Sequence, residues 1–327
     1  MSERALVTGA NGHIGANLVR DLLEHGYAVR ALVREKSDTR GLDGVDVERV
    51  TGDILDAASL ERACDGCTLA FHAAAPYVTW ARDPGTILEP AVRGTENALR
   101  AAKAKGLRRV VLTSSCNVVG FTKAEPLDER TWNQRATSPY LRAKLEQERR
   151  ADTLAAELDL DVVKVLPTAV LGPHDYRKTP TSAPFVDALA GKGPVPFPMN
   201  LVDVRDVARG HVLAAERGRR GERYLLGGDD VDTATLATLI EKHTGRRPRE
   251  GLPPVWVLRT VAALAETFAP LTGTAPPITR AVLDDVDGGV PLFDCSKAQR
   301  ELGLAPRGAE EVVLAALAWA RQMGWMR

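Results

Sequence analysis

Short runs of Val, Leu and Ala alternate with longer amphipathic runs through the first half of the chain. RALVT leads into a helical pattern from Gly12 to His25, AVRALV into a loop, and VERVTGD into a short helix after Asp56. TLAFHAA precedes a helix from about Thr86 to Lys105. RRVVLTSS, a loop, a helix holding Tyr140 and then DVVKVLP follow. This alternation predicts βα units around a parallel sheet, whose strands are buried on both faces. Gly26 and Gly106 fall just after helices, where left-handed caps belong. Beyond Gly172 the texture changes. Residues 173–198 are rich in Pro, Thr and Gly, then come NLVDV, a helix from about Arg205 to Arg217, and RYLLGG. The remainder reads as mostly helical, with Pro-rich joints at 253–254 and 276–277. The predicted fold is α/β, a doubly wound parallel sheet with a smaller, mostly helical C-terminal part. A nucleotide-binding domain is expected over 1–172, with 200–227 returning to it, and a substrate-binding domain over 173–199 and 228–327.

Composition narrows the class. The chain has 327 residues, 44% hydrophobic and 26% charged, and its 43 basic and 43 acidic residues cancel. Bulk charge therefore points to neither a nucleic-acid nor an acidic-membrane partner. Met1 to Arg4 leads straight into a strand with no apolar leader segment, so no signal peptide is expected. The stretch Val255 to Leu271 is interrupted by Arg259, Glu266 and Pro270 and is too broken to span a bilayer. Four cysteines do not make a disulfide framework at this length, which predicts a reduced, cytoplasmic protein. Cys64 and Cys67 form a C-x-x-C without further ligands at zinc spacing, so no metal is expected; the pair is read as small buried residues at a helix end, with a redox pair as the alternative.

The sharpest local signal is ALVTGANGHIGANLV. A strand ends at Thr8, a turn carries Gly9, Asn11, Gly12, His13, Ile14 and Gly15, and a helix begins. Glycines let backbone N–H groups approach a pyrophosphate, and the helix N-terminus adds a favourable partial charge. His13 reads as a turn residue near solvent or cofactor. The second strand ends ALVREKSD. An acidic residue there would bind the adenine ribose of NAD, whereas Arg34 suits the 2′-phosphate of NADP, with Lys36 and Arg40 as helpers. NADP(H) is favoured, while Asp38 keeps NAD(H) open. In FHAAAP, the small Ala73, Ala74 and Ala75 leave room for a ribose and diphosphate. Tyr140 and Lys144 lie four apart on one helix face, where an ammonium lowers a phenol's pKa and supports proton transfer. TSSC at the end of the fifth strand offers hydroxyls. Alternation puts Thr113 and Ser115 on one face and Cys116 on the other, pointing away.

The G-x-x-G-x-x-G spacing, the TSS after the fifth strand and the Tyr140/Lys144 pair, in this order, resemble the extended short-chain dehydrogenases/reductases. WARDPGTILEPAVRGTENALRAA looks like dihydroflavonol reductase-like proteins. PTAVLGPHDYRKTPTSAPFVDALAGKG, VDVRDVARGHVLAAERGRRGERYLLGG and FDCSKAQRELGLAPR resemble hopanoid-associated sugar epimerases of the NAD-dependent epimerase/dehydratase family. The resemblance implies Ser115, Tyr140 and Lys144 as the catalytic group. It also implies Asp53 and Ile54 against the adenine, PTAV (Pro167, Thr168 and Val170 included) facing the nicotinamide, and Thr113 among the cofactor-binding residues. A homodimer through helices 86–105 and 139–157 is implied too. A reductase of a ketone or aldehyde is the favoured reading. An NAD-dependent nucleotide-sugar epimerase and an NADP-binding redox sensor remain alternatives. Dehydration is disfavoured because Cys116-Asn117 stands where an Asp-Glu pair would be wanted. Pro76, Tyr77, Trp80, Asn117, Phe121, His174 and Tyr176 fall in loops after strands, where they could line a substrate pocket or simply pack as a lid.

Overall fold

The computed structural model describes residues 3–326 except 79, 196, 273–274 and 288, with backbone alone at 270–272. Strand β1 (Arg4–Thr8), helix α1 (His13–Glu24), strands β2 (Ala28–Val33) and β3 (Glu48–Thr51), helix α2 (Ala57–Cys64) and strand β4 (Leu69–His72) form the first half of the α/β core. Helix α3 (Gly85–Ala104), strand β5 (Arg109–Thr113), helix α4 (Pro139–Glu157) and strand β6 (Val162–Pro167) extend it. Next come β7 (Ala169–Leu171), α5 (Ser182–Leu189), β8 (Met199–Asp203), α6 (Val204–Arg217), β9 (Arg223–Leu226) and β10 (Asp229–Val231). Helices α7 (Thr233–Thr244), α8 (Val255–Thr272), α9 (Arg280–Val286) and α10 (Ala309–Gln322) close the chain.

The main sheet has seven parallel strands in the order β3-β2-β1-β4-β5-β6-β9. Its strands are covered on both sides, and period-two alternation sorts their side chains. Ala5 and Val7 pack with Leu18 and Leu22 of α1 and Val207 and Val212 of α6. Leu6, between them, packs with Leu60 of α2, Leu99 of α3 and Leu154 of α4. The strand order reverses between β1 and β4, so the loops after these strands splay apart there, where ligands bind in open α/β sheets.

RYLL joins the main sheet as β9, paired with β6, but NLVDV does not return to it. As β8 it pairs in parallel with β7 and antiparallel with β10 in a separate three-stranded sheet. That sheet shares a second core with α5, α7 and α10, through Leu171, Phe185, Leu201, Ile240 and Val313. Apolar alternation marks a strand and cannot say which edge it joins. Cys64 ends α2 and Cys67 follows it, both buried thiols, as read from the sequence. Among the described residues no helix is long and apolar enough to cross a membrane, and no cluster of His, Cys, Asp and Glu could hold a metal ion.

Candidate active site

At the switch point the glycines are demanded by contact. Gly9 has a φ of +70°, and a Cβ there would stand 2.8 Å from the carbonyl carbon of Ala73 and the nitrogen of Ala74. A Cβ on Gly15 would stand 2.1 Å from the Gly9 oxygen. The loops after β1 and β4 therefore touch backbone to backbone. Gly12 begins α1 without a side-chain cap, which leaves first-turn N–H groups for an anion. Ile14 packs onto the core below. His13 is half-buried. Its ring lies against the Gly172 and Pro173 backbone and near Asp175, and burial lowers its pKa.

Beyond β2, Arg34 is exposed and has no ion pair among the described residues. Asp38 is committed elsewhere: Arg40 binds it at 2.7 Å, which holds its carboxyl down at about 2. Asn11 Nδ2 donates to the Asp38 carbonyl at 2.8 Å, tying the glycine loop to this one. The Arg40 guanidinium lies 5.3 Å from the centre of the Tyr176 ring. After β3, Asp53 accepts from the Leu55 N–H at 2.9 Å, and Ile54 packs against Gly94 of α3.

Ser115 ends the extended run after β5 and caps a single 3₁₀ turn over Cys116–Val118, accepting from Asn117 N at 3.3 Å. That turn breaks the alternation expected of a strand. Cys116 consequently does not point away: its buried thiol lies beside Ser115 and near Tyr140, and burial pushes it up to about 12. The hydroxyl of Thr113 turns to His211 of α6 at 2.8 Å, while its carbonyl faces the helix bearing Lys144.

In α4, Ser138 is the N-cap and Pro139 the first helical residue, a pattern that starts a helix cleanly and sets Tyr140 in its first turn. The Tyr140 phenol lies near the Ser115 side chain. One turn on, Lys144 Nζ donates to the Thr113 carbonyl at 3.1 Å and to Gln147 Oε1 at 3.0 Å. Burial lowers Lys144 to about 8, opposed by nearby Glu148. Burial raises the Tyr140 phenol, with Tyr77 adding to the rise and Ser115 opposing it. The expectation of a phenol lowered by its lysine is thus reversed here: Lys144 directs two of its three donors to Thr113 and Gln147, and desolvation of the phenol dominates.

The pocket aromatics divide. Tyr77 stacks on Tyr140 with ring centres 5.1 Å apart, and its hydroxyl meets Thr181 at 2.5 Å. Pro76 and Trp80 flank it, half-buried. Asn117 follows Ser115, and Phe121 lines an open cleft of about 410 Å³ with Trp132. His174 and Tyr176 lie elsewhere. They pack against Trp319 of α10, with ring centres at 5.1 and 5.0 Å, and Asn17 of α1 donates to the neighbouring Pro173 carbonyl at 3.0 Å. Pro167 ends β6, and Thr168 and Val170 follow it as buried residues, with the Thr168 hydroxyl reaching the Leu226 carbonyl.

Sequence reasoning missed three groups. His72, ending β4, bonds Thr8 Oγ1 at 2.9 Å; its Nε2 has no partner among the described residues, and burial keeps the ring neutral down to about 3. Gln147 holds Lys144, a contact that its i+3 position made legible. Asp285 of α9 accepts from Thr137 N at 2.6 Å and Ser138 N at 3.1 Å, at the start of α4, and no local pattern announces it.

Residues 5–227 match the model of the NAD dependent epimerase/dehydratase family. A putative dihydroflavonol 4-reductase of Synechocystis sp. is 34% identical over 338 residues, covering 100% of this chain and 97% of the relative. Sterol demethylase protein B of Methylococcus capsulatus is 35% identical over 329 residues, covering 98% of each. The crystal structure of gox2253 is 35% identical, covers 100% of both chains and superposes with a TM-score of 0.87.

Proposed function

The chain belongs to the NAD dependent epimerase/dehydratase family, and from that premise we propose that it reduces a ketone or aldehyde to an alcohol with NADPH. The observation that carries this reading is the Asp38–Arg40 pair. The carboxylate able to take the ribose hydroxyls of NAD is already bound, while Arg34 stands exposed where a 2′-phosphate would lie. The glycine loop fits a dinucleotide, since side chains are excluded at Gly9 and Gly15 and N–H groups stand open at the start of α1. Bound NADPH would supply the hydride. Asp53 and Ile54 would hold the adenine end, and the stretch from Pro167 to Val170, with Ala73–Ala75, would face the nicotinamide half.

The chain's own residues do the proton chemistry. Ser115 donates to the carbonyl oxygen as it gains negative charge. Tyr140, held protonated by burial, passes its proton to that oxygen and leaves the alcohol. Lys144 stabilises the phenolate that remains and takes a ribose hydroxyl. Tyr77 closes over the site. We assign substrate binding to 173–199 and 228–327, a homodimer to the outer faces of α3 and α4, and a reducing cytoplasm to the four unpaired thiols.

The test is a titration with NADPH, NADH and NAD on protein stripped of nucleotide, then a carbonyl screen with a Tyr140→Phe control. Preference for exchangeable NADPH and a loss of about 10²–10⁴ in kcat on Tyr140→Phe are expected. Tightly retained NAD with no NADPH preference would overturn the reading in favour of a nucleotide-sugar epimerase. NADPH binding without turnover of any carbonyl would favour a redox sensor. A single species at monomer mass in light scattering would remove the dimer.

A further inference from the structure

We propose that Gln147 is the positioning residue for Lys144, holding its ammonium with a neutral acceptor so that one N–H remains directed at a ligand. The inference rests on the reading of Lys144 given above. The orientation of the Gln147 amide follows from its partners. Thr95 in α3 donates its hydroxyl to the Ala91 carbonyl at 2.8 Å, so its oxygen accepts from Gln147 Nε2 at 2.9 Å. The amide oxygen is thereby turned to Lys144, at 3.0 Å. An ammonium has three donors. The Thr113 carbonyl and Gln147 occupy two, and the third is left for a ligand hydroxyl. Lys144, Gln147 and Thr95 are all buried, so the chain fixes Lys144 from β5 and from α3 at once.

The charged and titratable groups around Lys144 are few. His72 of β4 is neutral. Glu148 of α4 is occupied by Ser114 of the segment after β5 and by Arg223 of β9, which binds it at 2.5 Å. Tyr140 lies one turn back on the same helix. With Glu148 committed, Gln147 is the side chain of α4 that accepts from the ammonium. A carboxylate in its place would pair with Lys144 and hold it protonated. A hydrocarbon would leave the buried charge less solvated and release its proton sooner.

The experiment compares Gln147→Glu and Gln147→Leu, with Thr95→Val as a milder variant that frees the amide to turn. Two readouts are taken: the alkaline limb of the kcat profile in carbonyl reduction, and the titration of the Lys144 Cε signal in ¹³C-lysine-labelled protein, identified with Lys144→Arg. The titration is expected to move up by about one unit in Gln147→Glu and down by about one unit in Gln147→Leu. Thr95→Val should move it down by less. The activity limb should follow. Titrations unmoved in all folded variants, or moved the same way by Glu and Leu, would overturn the proposal. The NMR readout needs no turnover, so a protein that reduces no carbonyl but shows the opposed shifts would keep this inference and lose the reductase reading. Unmoved titrations beside an inactive Tyr140→Phe would do the reverse.

Discussion

A Cβ at Gly15 meets the Gly9 oxygen at 2.1 Å, and backbone cannot yield as a flexible side chain would. Gly15→Ala is therefore expected to cost about 1–3 kcal/mol and to weaken NADPH binding together with thermal stability. An unchanged melting midpoint with unchanged NADPH affinity would show that the two loops separate freely. The proton chemistry is also legible at this scale. Lys144 loses its proton at about 8, so reduction should be flat below that pH and fall about tenfold per unit above it. A profile level to pH 10 would mean that the charge on Lys144 is not required. The close backbone approach at Gly9 and Gly15 and the shared helix face of Tyr140 and Lys144 could be read from the sequence because they follow from local backbone and helix register. Cys116 could not, since its direction depends on a single 3₁₀ turn that strand periodicity does not reveal. His174 and Tyr176 could not either, since loop aromatics follow whatever surface their loop crosses.

Helix α4 carries both Tyr140 and Lys144, and its first turn is anchored from far along the chain. Asp285 of α9 accepts from Thr137 N, from Thr137 Oγ1 at 2.7 Å and from Ser138 N. Helix α9 is held in turn by α8 through Arg259–Asp284 at 2.8 Å and Glu266–Arg280 at 2.7 Å. Asp285→Ala leaves buried donors unpaired and should cost about 2 kcal/mol. It should also lower kcat by about tenfold, since that is the rate effect of a shift near 1.4 kcal/mol in the placement of Tyr140. NADPH affinity should barely change, because the glycine loop is untouched. A wild-type kcat would separate the C-terminal helices from the chemistry. The helices themselves were legible: the expected 86–105 and 139–157 appear as Gly85–Ala104 and Pro139–Glu157. The anchoring was not, because a carboxylate 147 residues from its partner Ser138 leaves no periodic trace.

Across the whole molecule, burial keeps His72 neutral down to about 3 and His211 down to about 4. An unfolded chain protonates both near their ordinary value. Stability from these two groups is therefore present above that value and lost as pH falls towards their folded values, by about 1.4 kcal/mol per unit for each. Glu129 and Glu148, raised by burial, act in the opposite sense, so the clean measurement is a difference. Between pH 7 and pH 5, His211→Gln should lose about 2 kcal/mol less than the unaltered protein in urea unfolding. Equal losses would mean that His211 titrates normally in the fold.

Taken alone, the sequence determined the alternation of strands and helices, the glycine turn opening α1, and the Tyr140–Lys144 face, because these depend on periodicity and on the spacing of neighbours along the backbone. Tertiary structure decided what each group faces. It sent β8 to the second sheet, bound Asp38 to Arg40, raised rather than lowered the Tyr140 phenol, and brought Thr95 under Gln147 and Asp285 to the start of α4. Those outcomes depend on burial and on partners distant in the chain, and hydrogen bonds and desolvation act through space.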